Sequence, residues 1–336
     1  MADQMVLARI VNMRGVDLRR FEFDYDLTWA GFFFASDGTI LGRFGGRDGP
    51  SPDKYLTLPG LKHAMKSAID RNGRPAGKPM ETALSETADK IRHVEDYPAS
   101  RRLKANACIH CHQVYDFRRD YARSKNTFTR EQIWVYPLPE NLGFSIDPNQ
   151  QNRITSVKAD SPAAKAGLKA ADELIFIDRE HIASFADIQH ALHVAPNEGS
   201  IRFTWMRNGK RNEAEVDLPA RWRETDISWR ESMWNLEPSA SVYGKDLTEA
   251  EKKSLGLKAT QVAFRQGDYV PPAAASAGIR KGDIILGIKG KELEMNMLQF
   301  NVYVRLNYKP GEKVVYEFLR GGKRQEAAVT LPKKTF

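Results

Sequence analysis

Apolar and polar positions along the chain fall into blocks of different rhythm. In the first block, Met5 to Met13 and Leu27 to Phe34 read as strands. Ser36-Asp37-Gly38-Thr39 reads as a hairpin turn, Ile40 to Phe44 as its return strand, and Leu58 to Ile69 as a helix. In the later blocks one order of elements occurs twice. Ser161-Pro162-Ala163-Ala164-Lys165-Ala166-Gly167-Leu168 aligns with Pro272-Ala273-Ala274-Ala275-Ser276-Ala277-Gly278-Ile279 at an offset of 111 residues. The match runs on through Asp172 to Ile177 and Asp283 to Ile288. It returns at an offset of 113, with Arg207-Asn208-Gly209-Lys210 against Arg320-Gly321-Gly322-Lys323 and Val216 to Pro219 against Val329 to Pro332. Each copy predicts a strand, a small-residue helix, an Asp turn, an apolar strand, a second helix and a closing hairpin. In the first copy that second helix is Phe185 to Leu192, with Ile188 and Leu192 on one side, and the hairpin joins Ile201 to Met206 with Glu213 to Leu218. So long a period, closed by strands in each copy, means two whole domains and not a solenoid. Ala171 stands where the second copy has Gly282. If that turn needs a positive φ, alanine costs about 1 kcal/mol there.

Both copies resemble PDZ domains of the bacterial type. The residues that carry the resemblance are Ser161-Pro162-Ala163-Ala164 with Ala166-Gly167-Leu168, the strand after Asp172, and the opening run Asn141-Leu142-Gly143-Phe144. It covers residues 134 to 220 and 236 to 333. It implies recognition of peptide or protein C-termini. Backbone N–H groups of Leu142, Gly143 and Phe144 would form a concave nest for a terminal carboxylate. The peptide would add as a strand beside the one starting at Phe144, with its side-chain pocket against Ile188 and Leu192. The second copy has Val242-Tyr243-Gly244 in place of the Leu-Gly-Phe run, and an insertion-like stretch from Leu247 to Gln266. Whether it binds ligand or keeps only the scaffold stays open.

The run Asp26-Leu27-Thr28-Trp29 into Phe32-Phe33-Phe34 and Asp37-Gly38 resembles the C-terminal half of a thioredoxin-like domain. That family's first βα unit, with its Cys-x-x-Cys nucleophile, is not in the chain, and Leu27 stands near the place of its cis-proline. No thiol oxidoreductase activity is implied by this region. The whole chain is similar to bacterial proteins that join a thioredoxin-like domain, a Cys-x-x-Cys-His segment and tandem PDZ domains, some of them selenoproteins. That resemblance implies a periplasmic or otherwise exported protein, and a strand that begins at residue 5 without a partner leads to the expectation that the true start lies upstream of Met1. The expected fold class is multidomain α+β. A partial thioredoxin-like α/β region spans 1–75, and a basic helical segment with the Cys-x-x-Cys-His run spans 76–131. A PDZ domain follows at 132–220, a Trp-rich connector at 221–235 and a PDZ-like domain at 236–336. Each PDZ-like domain is a small β-barrel or sandwich with two helices.

The two cysteines change the picture most. They lie in Cys108-Ile109-His110-Cys111-His112, the spacing of covalent haem c attachment. Cys108 and Cys111 would form the thioethers and His112 the axial ligand on iron. Against this, no methionine occurs between Cys111 and Met206, and other axial candidates (His63, Met65, Met80, His93) lie upstream. A redox dithiol, a metal site using His110 or His112, and a purely structural pair remain open beside it. Residues 90 to 131 hold ten Lys/Arg against five acids, most of the chain's net charge of +8. This basic collar suits a solvated segment or an anionic group, and no nucleic-acid motif accompanies it. Three tryptophans between Arg221 and Trp234 suit a packed wedge better than a free linker. His181, His190 and His193 read as packing residues. No apolar run reaches membrane-spanning length, and neither a Gly-x-Ser-Gly-Gly run, a Gly-x-Ser-x-Gly run nor a phosphate loop is present. The function expected is peptide C-terminus binding, with electron transfer or thiol redox chemistry as the rival; the missing protease motifs argue against a protease, and whether the chain is an enzyme stays open.

Overall fold

A computed structural model of the chain describes residues 1–72, 91–104 and 107–333. It divides into two units, Met1–Thr225 and Asp226–Phe336, with the boundary inside the Trp-rich stretch. The architecture is mixed α/β and multidomain.

In the first unit the Asp-Gly turn forms. β1 (Gly31–Phe34) pairs antiparallel with β2 (Ile40–Phe44), Phe34 opposite Ile40. The Asp37 carboxylate accepts the Thr39 N–H at 2.9 Å, and Gly38 takes φ +85°. The rest of the expected sheet is not built. Residues 5–13 form no strand, and Val6 is 99% exposed. Their apolar pattern finds no neighbouring strand among the described residues, and Val6, Leu7, Ile10 and Val11 stay exposed. Residues 27–30 are likewise irregular, and only the end of the Leu27 to Phe34 run is extended as a strand. A two-stranded hairpin therefore stands where a half thioredoxin-like sheet was expected. α1 (Leu58–Arg71) starts at Thr57, whose hydroxyl accepts the Gly60 N–H.

The Cys108–His112 run is not helical, contrary to expectation. It is a turn that ends at His112, the N-cap of α2 (Gln113–Ser124). The turn is clamped from the chain's start: Met13 N–H donates to Ile109 O, and Ile109 N–H to Asn12 Oδ1, both at 3.0 Å. Ile109, Val114, Tyr115 and Phe117 are buried with Met13, Leu18, Tyr25 and Tyr97 in one core. Residues 76–90 of the expected basic segment, with Met80, lie outside the described residues.

The first copy of the repeat follows. β3 (Phe144–Ile146) pairs with β4 (Ile154–Val157). α3 (Pro162–Lys165) is capped by Ser161. β5 (Glu173–Ile177), β6 (Glu180–His181), β7 (Gly199–Arg207) and β8 (Lys210–Leu218) form a sheet of order β6-β5-β7-β8. α4 (Phe185–Val194) is capped by the Ser184 hydroxyl. Asn208 and Gly209 both take positive φ, +50° and +73°, the turn that matches strand twist in a two-residue hairpin.

In the second unit, β9 (Gly244–Asp246), β10 (Phe264–Gln266), β11 (Ile284–Ile288), β12 (Lys313–Arg320) and β13 (Lys323–Thr330) make one antiparallel sheet of order β13-β12-β11-β10-β9. α5 (Glu249–Ser254) lies in the stretch expected as an insertion and opens with a Thr248–Glu251 capping box. α6 (Pro272–Ser276) and α7 (Met297–Asn307) match α3 and α4. The two copies share a buried latch. Arg207 grips Asp172 at 2.7 Å through two nitrogens and donates to Gly167 O. Arg320 does the same to Asp283, at 2.8 and 2.6 Å, and to Gly278 O.

Candidate peptide-binding site

The loop before β3 is a single turn of 3-10 helix, Pro139–Leu142, closed by Gly143 at φ +89°. A Cβ at that position would also run into Ser161, so both the dihedral and the space call for glycine. The Gly143 N–H donates to Glu140 O at 3.0 Å. It is spent inside the turn, and the expected three-donor nest is correspondingly smaller. Gly143 O accepts the Lys158 N–H at 2.8 Å, and Ser145 sits opposite Ser156. Between these two hydrogen-bonded positions Phe144 faces Val157 as a non-hydrogen-bonded pair. Its own N–H and C=O therefore point away from β4. That outer flank of β3 has no strand on it among the described residues.

The apolar residues expected to line the groove are brought together, but they are closed off. Leu142, Phe144, Ile188 and Leu192 are all within 1% of complete burial, in one cluster with Tyr55 and Phe185. Sequence reasoning missed Tyr55, which comes from the loop between β2 and α1. Its ring stacks on Phe185 at 3.6 Å and 6°, at the first turn of α4. Its carbonyl accepts Gln151 Nε2 at 2.8 Å, and Gln151 Oε1 accepts the Phe185 N–H. An aromatic in a Pro- and Asp-rich loop carries no periodicity that would mark it as core. The same N-terminal region holds the other side of α4. Gly46 abuts Phe185 and Gln189, and Gln189 donates to Arg47 O and Tyr136 O. The Tyr136 ring stacks on His193 at 4.3 Å.

A buried ionic cluster bolts β2 to α4. Arg43 N–H donates to Asp187 Oδ1 at 2.8 Å, and its guanidinium donates to Glu180 at 2.7 Å and meets His190 Nε2 at 3.3 Å. His190 Nδ1 lies 3.2 Å from Glu180. Burial, with Glu180 nearby, pushes Asp187 up to about 7. Burial works against Glu180 too, but the Arg43 charge and the His190 contact hold it at about 2. Burial, with Arg71 close by, pulls His181 down to about 4, and burial with Arg43 pulls His190 down as well. His181, His190 and His193 are thus packing residues in a charged setting.

The cysteine turn has different properties. Cys108 is exposed, Cys111 is half-buried with its thiol pushed up by burial, and both are free. The rings of His110 and His112 stack at 5.9 Å. Among the described residues, no group of three His, Cys, Asp or Glu side chains is placed to hold a metal ion.

Residues 141–218 match the family model of the PDZ domain. A PDZ domain is present here. Its repeat partner at 236–333 follows the same element order, with α5 added and no counterpart of β6. Curated relatives include a probable periplasmic serine protease, do/HhoA-like, of Haemophilus influenzae. It is 29% identical over 158 residues, 47% of this chain and 31% of the relative. The periplasmic pH-dependent serine endoprotease DegQ of Escherichia coli is 28% identical over 147 residues, 43% of this chain and 30% of the relative. The chain spans about a third of the length of these relatives. Among solved structures, a variant of the HtrA-type protease AlgW with decapeptide aligns at 17% identity and a TM-score of 0.30, over 55% of this chain and 54% of that one. No helix among the described residues is long and apolar enough to cross a membrane.

Proposed function

We propose that the chain is a periplasmic protein-interaction module that takes up extended peptides or protein C-termini along β3 of the first unit. Leu142, Gly143 and Phe144 turn the chain at the ligand's end, and Ile188 and Leu192 form the floor beneath it. The observation that carries this reading is the open flank of β3, where Phe144 presents an outward N–H and C=O beside the Gly143 turn. Such an edge accepts a further strand, and the backbone supplies most of the affinity. The segment carrying Tyr55 sits in the apolar cluster on the same face, so ligand side chains enter only as that segment yields. The periplasmic relatives fit an exported protein. The activity assigned to these residues is peptide binding.

The test is a polarisation titration of the full chain with labelled apolar peptides, each made as a free acid and as a C-terminal amide. The free acid should bind at least about tenfold more tightly, the difference expected from one charge-assisted contact. Equal binding of the two forms, or none, would overturn C-terminal recognition. Substituting Gly143 is a poor test, because any side chain there collides with Ser161 and disturbs the loop itself.

A further inference from the structure

Several arginines that pack into the interior of this chain meet carboxylates, or main-chain carbonyls through both terminal nitrogens, and Arg305 does neither. Arg43 meets Glu180, Arg118 meets Glu22, and Arg207 and Arg320 meet Asp172 and Asp283. Arg223 donates to His193 O and Ala195 O at the end of α4. Arg305, on α7 of the second unit, is only 6% exposed and has no carboxylate within salt-bridge distance among the described residues. Its Nη1 is used locally, donating to Asn301 O at 3.2 Å and Asn301 Oδ1 at 3.1 Å. Its Nε is sealed from solvent without a partner, and its Nη2 makes no protein hydrogen bond. Nε and Nη2 form one edge of the guanidinium. That edge has the spacing of a carboxylate's two oxygens and binds it through parallel N–H···O bonds. The Nε half of that edge is desolvated without a partner, which is costly unless an anion fills it. Burial accordingly pushes Arg305 down to about 10.

The surroundings suit a ligand that brings chain with it. The Trp234 ring lies 5.2 Å from the guanidinium carbon and is itself exposed, giving a flat apolar wall. Asn301, which holds Nη1, also donates to Val242 O at 3.1 Å. That ties Arg305 to the loop that leads into β9. Among the described residues β9 pairs only with β10 and so ends the sheet with a free flank. We propose that the Nε–Nη2 edge of Arg305 is a carboxylate-binding site for an acidic or C-terminal group of a peptide laid against Trp234. This site is separate from the groove proposed in the first unit, and its arginine has no counterpart there: the same helix position in α4 holds His193.

The experiment follows the Arg305 Nε–Hε signal of the full chain by 15N NMR, assigned through Arg305→Lys. Three ten-residue peptides of one sequence are titrated: a free acid without acidic side chains, its amide, and the amide with one internal Glu. Sodium acetate is the fourth arm. A saturable shift with the free acid assigns the site to C-termini, and a shift with the Glu peptide assigns it to acidic side chains. Either result supports the proposal when Arg305→Lys, which keeps the charge and loses the fork, weakens that peptide at least tenfold. A shift with acetate alone means an adventitious ion only and overturns it. So does an unmoved signal in all arms, or a lysine variant that binds as tightly as the parent. Because the readout sits on Arg305 itself, failure of peptide binding at β3 leaves this result intact.

Discussion

The two copies of the repeat are alike where the chain turns and unlike where a ligand would sit. Both close on the same arginine–aspartate latch with the same third bond to a glycine carbonyl. In both, the residue before that aspartate is left-handed, φ +68° at Ala171 and +82° at Gly282. The sheets then diverge. β10 pairs with β11 through Phe264 and Ile285, giving five continuous strands, whereas β4 reaches β5 only through the single bridge Arg153–Glu173. The helices diverge further. α4 is locked by Arg43, Tyr55 and Tyr136, while α7 carries an arginine with no carboxylate at salt-bridge distance among the described residues. A shared scaffold thus fixes turns and latches, and function is left to what packs on one helix.

The comparison is broken most strongly by Tyr55→Ala. Removing a fully buried stacked ring should destabilise the first unit by about 3–5 kcal/mol. Hydrogen exchange should then rise across α4 and stay unchanged across α7, and free-acid peptides should bind β3 more tightly. Exchange rising equally in both units would show that Tyr55 does not act on the groove.

Next come the latches. Asp172→Ala and Asp283→Ala each leave a half-buried arginine unpaired, and each should cost about 2–3 kcal/mol. Denaturant melts of the two variants should agree within about 1 kcal/mol if the latches are equivalent, since distant sites act additively.

A smaller effect distinguishes the units by pH. Asp187, at about 7, keeps its proton in the folded state after the unfolded chain has lost it, so raising pH from about 4 to 7 costs stability. His181, at about 4, sheds its proton early, so raising pH from about 4 to 6.5 adds stability. His190 acts in the same sense as His181. The opposing slopes should leave the parent protein nearly flat. Asp187→Asn should make stability rise over this window by about 1–2 kcal/mol, at most 1.4 kcal/mol per pH unit for each proton. His181→Gln should tilt it the other way. Thermal melts between pH 4 and 7 read both.

The smallest effect is at the left-handed turn. Gly282→Ala should cost about 1 kcal/mol, since space around that Cβ is open and only the dihedral resists. Ala171→Gly should stabilise by less, because glycine's added freedom in the unfolded chain offsets part of the relief.

Local chemistry was legible in the sequence. The Asn-Gly and Gly-Gly hairpins, the Ser-capped helices and the Ala171–Gly282 contrast follow from turn and cap preferences acting over a few residues. The repeat exposed the domain plan because two copies had to solve one packing problem. What escaped were outcomes decided at long range. Met5 to Met13 has a strand's pattern and no strand to pair with. Arg43 meets Glu180 and Asp187 from more than a hundred residues away. Tyr55 becomes core through Phe185 and Gln151, neither of which its own loop announces. Cys108 to Cys111 has the spacing of a helical turn, but the clamp from Asn12 and Met13 holds it in another shape.

That clamp has a practical side. The stretch carrying Val6, Leu7, Ile10 and Val11 is exposed, and it ends in the two residues whose backbone and amide pin Ile109. Cleavage within it leaves Asn12 and Met13 in place, so only removal through Met13 would release the tether without touching a cysteine. Truncation to that point followed by thiol labelling would then read whether the clamp limits access to the half-buried Cys111.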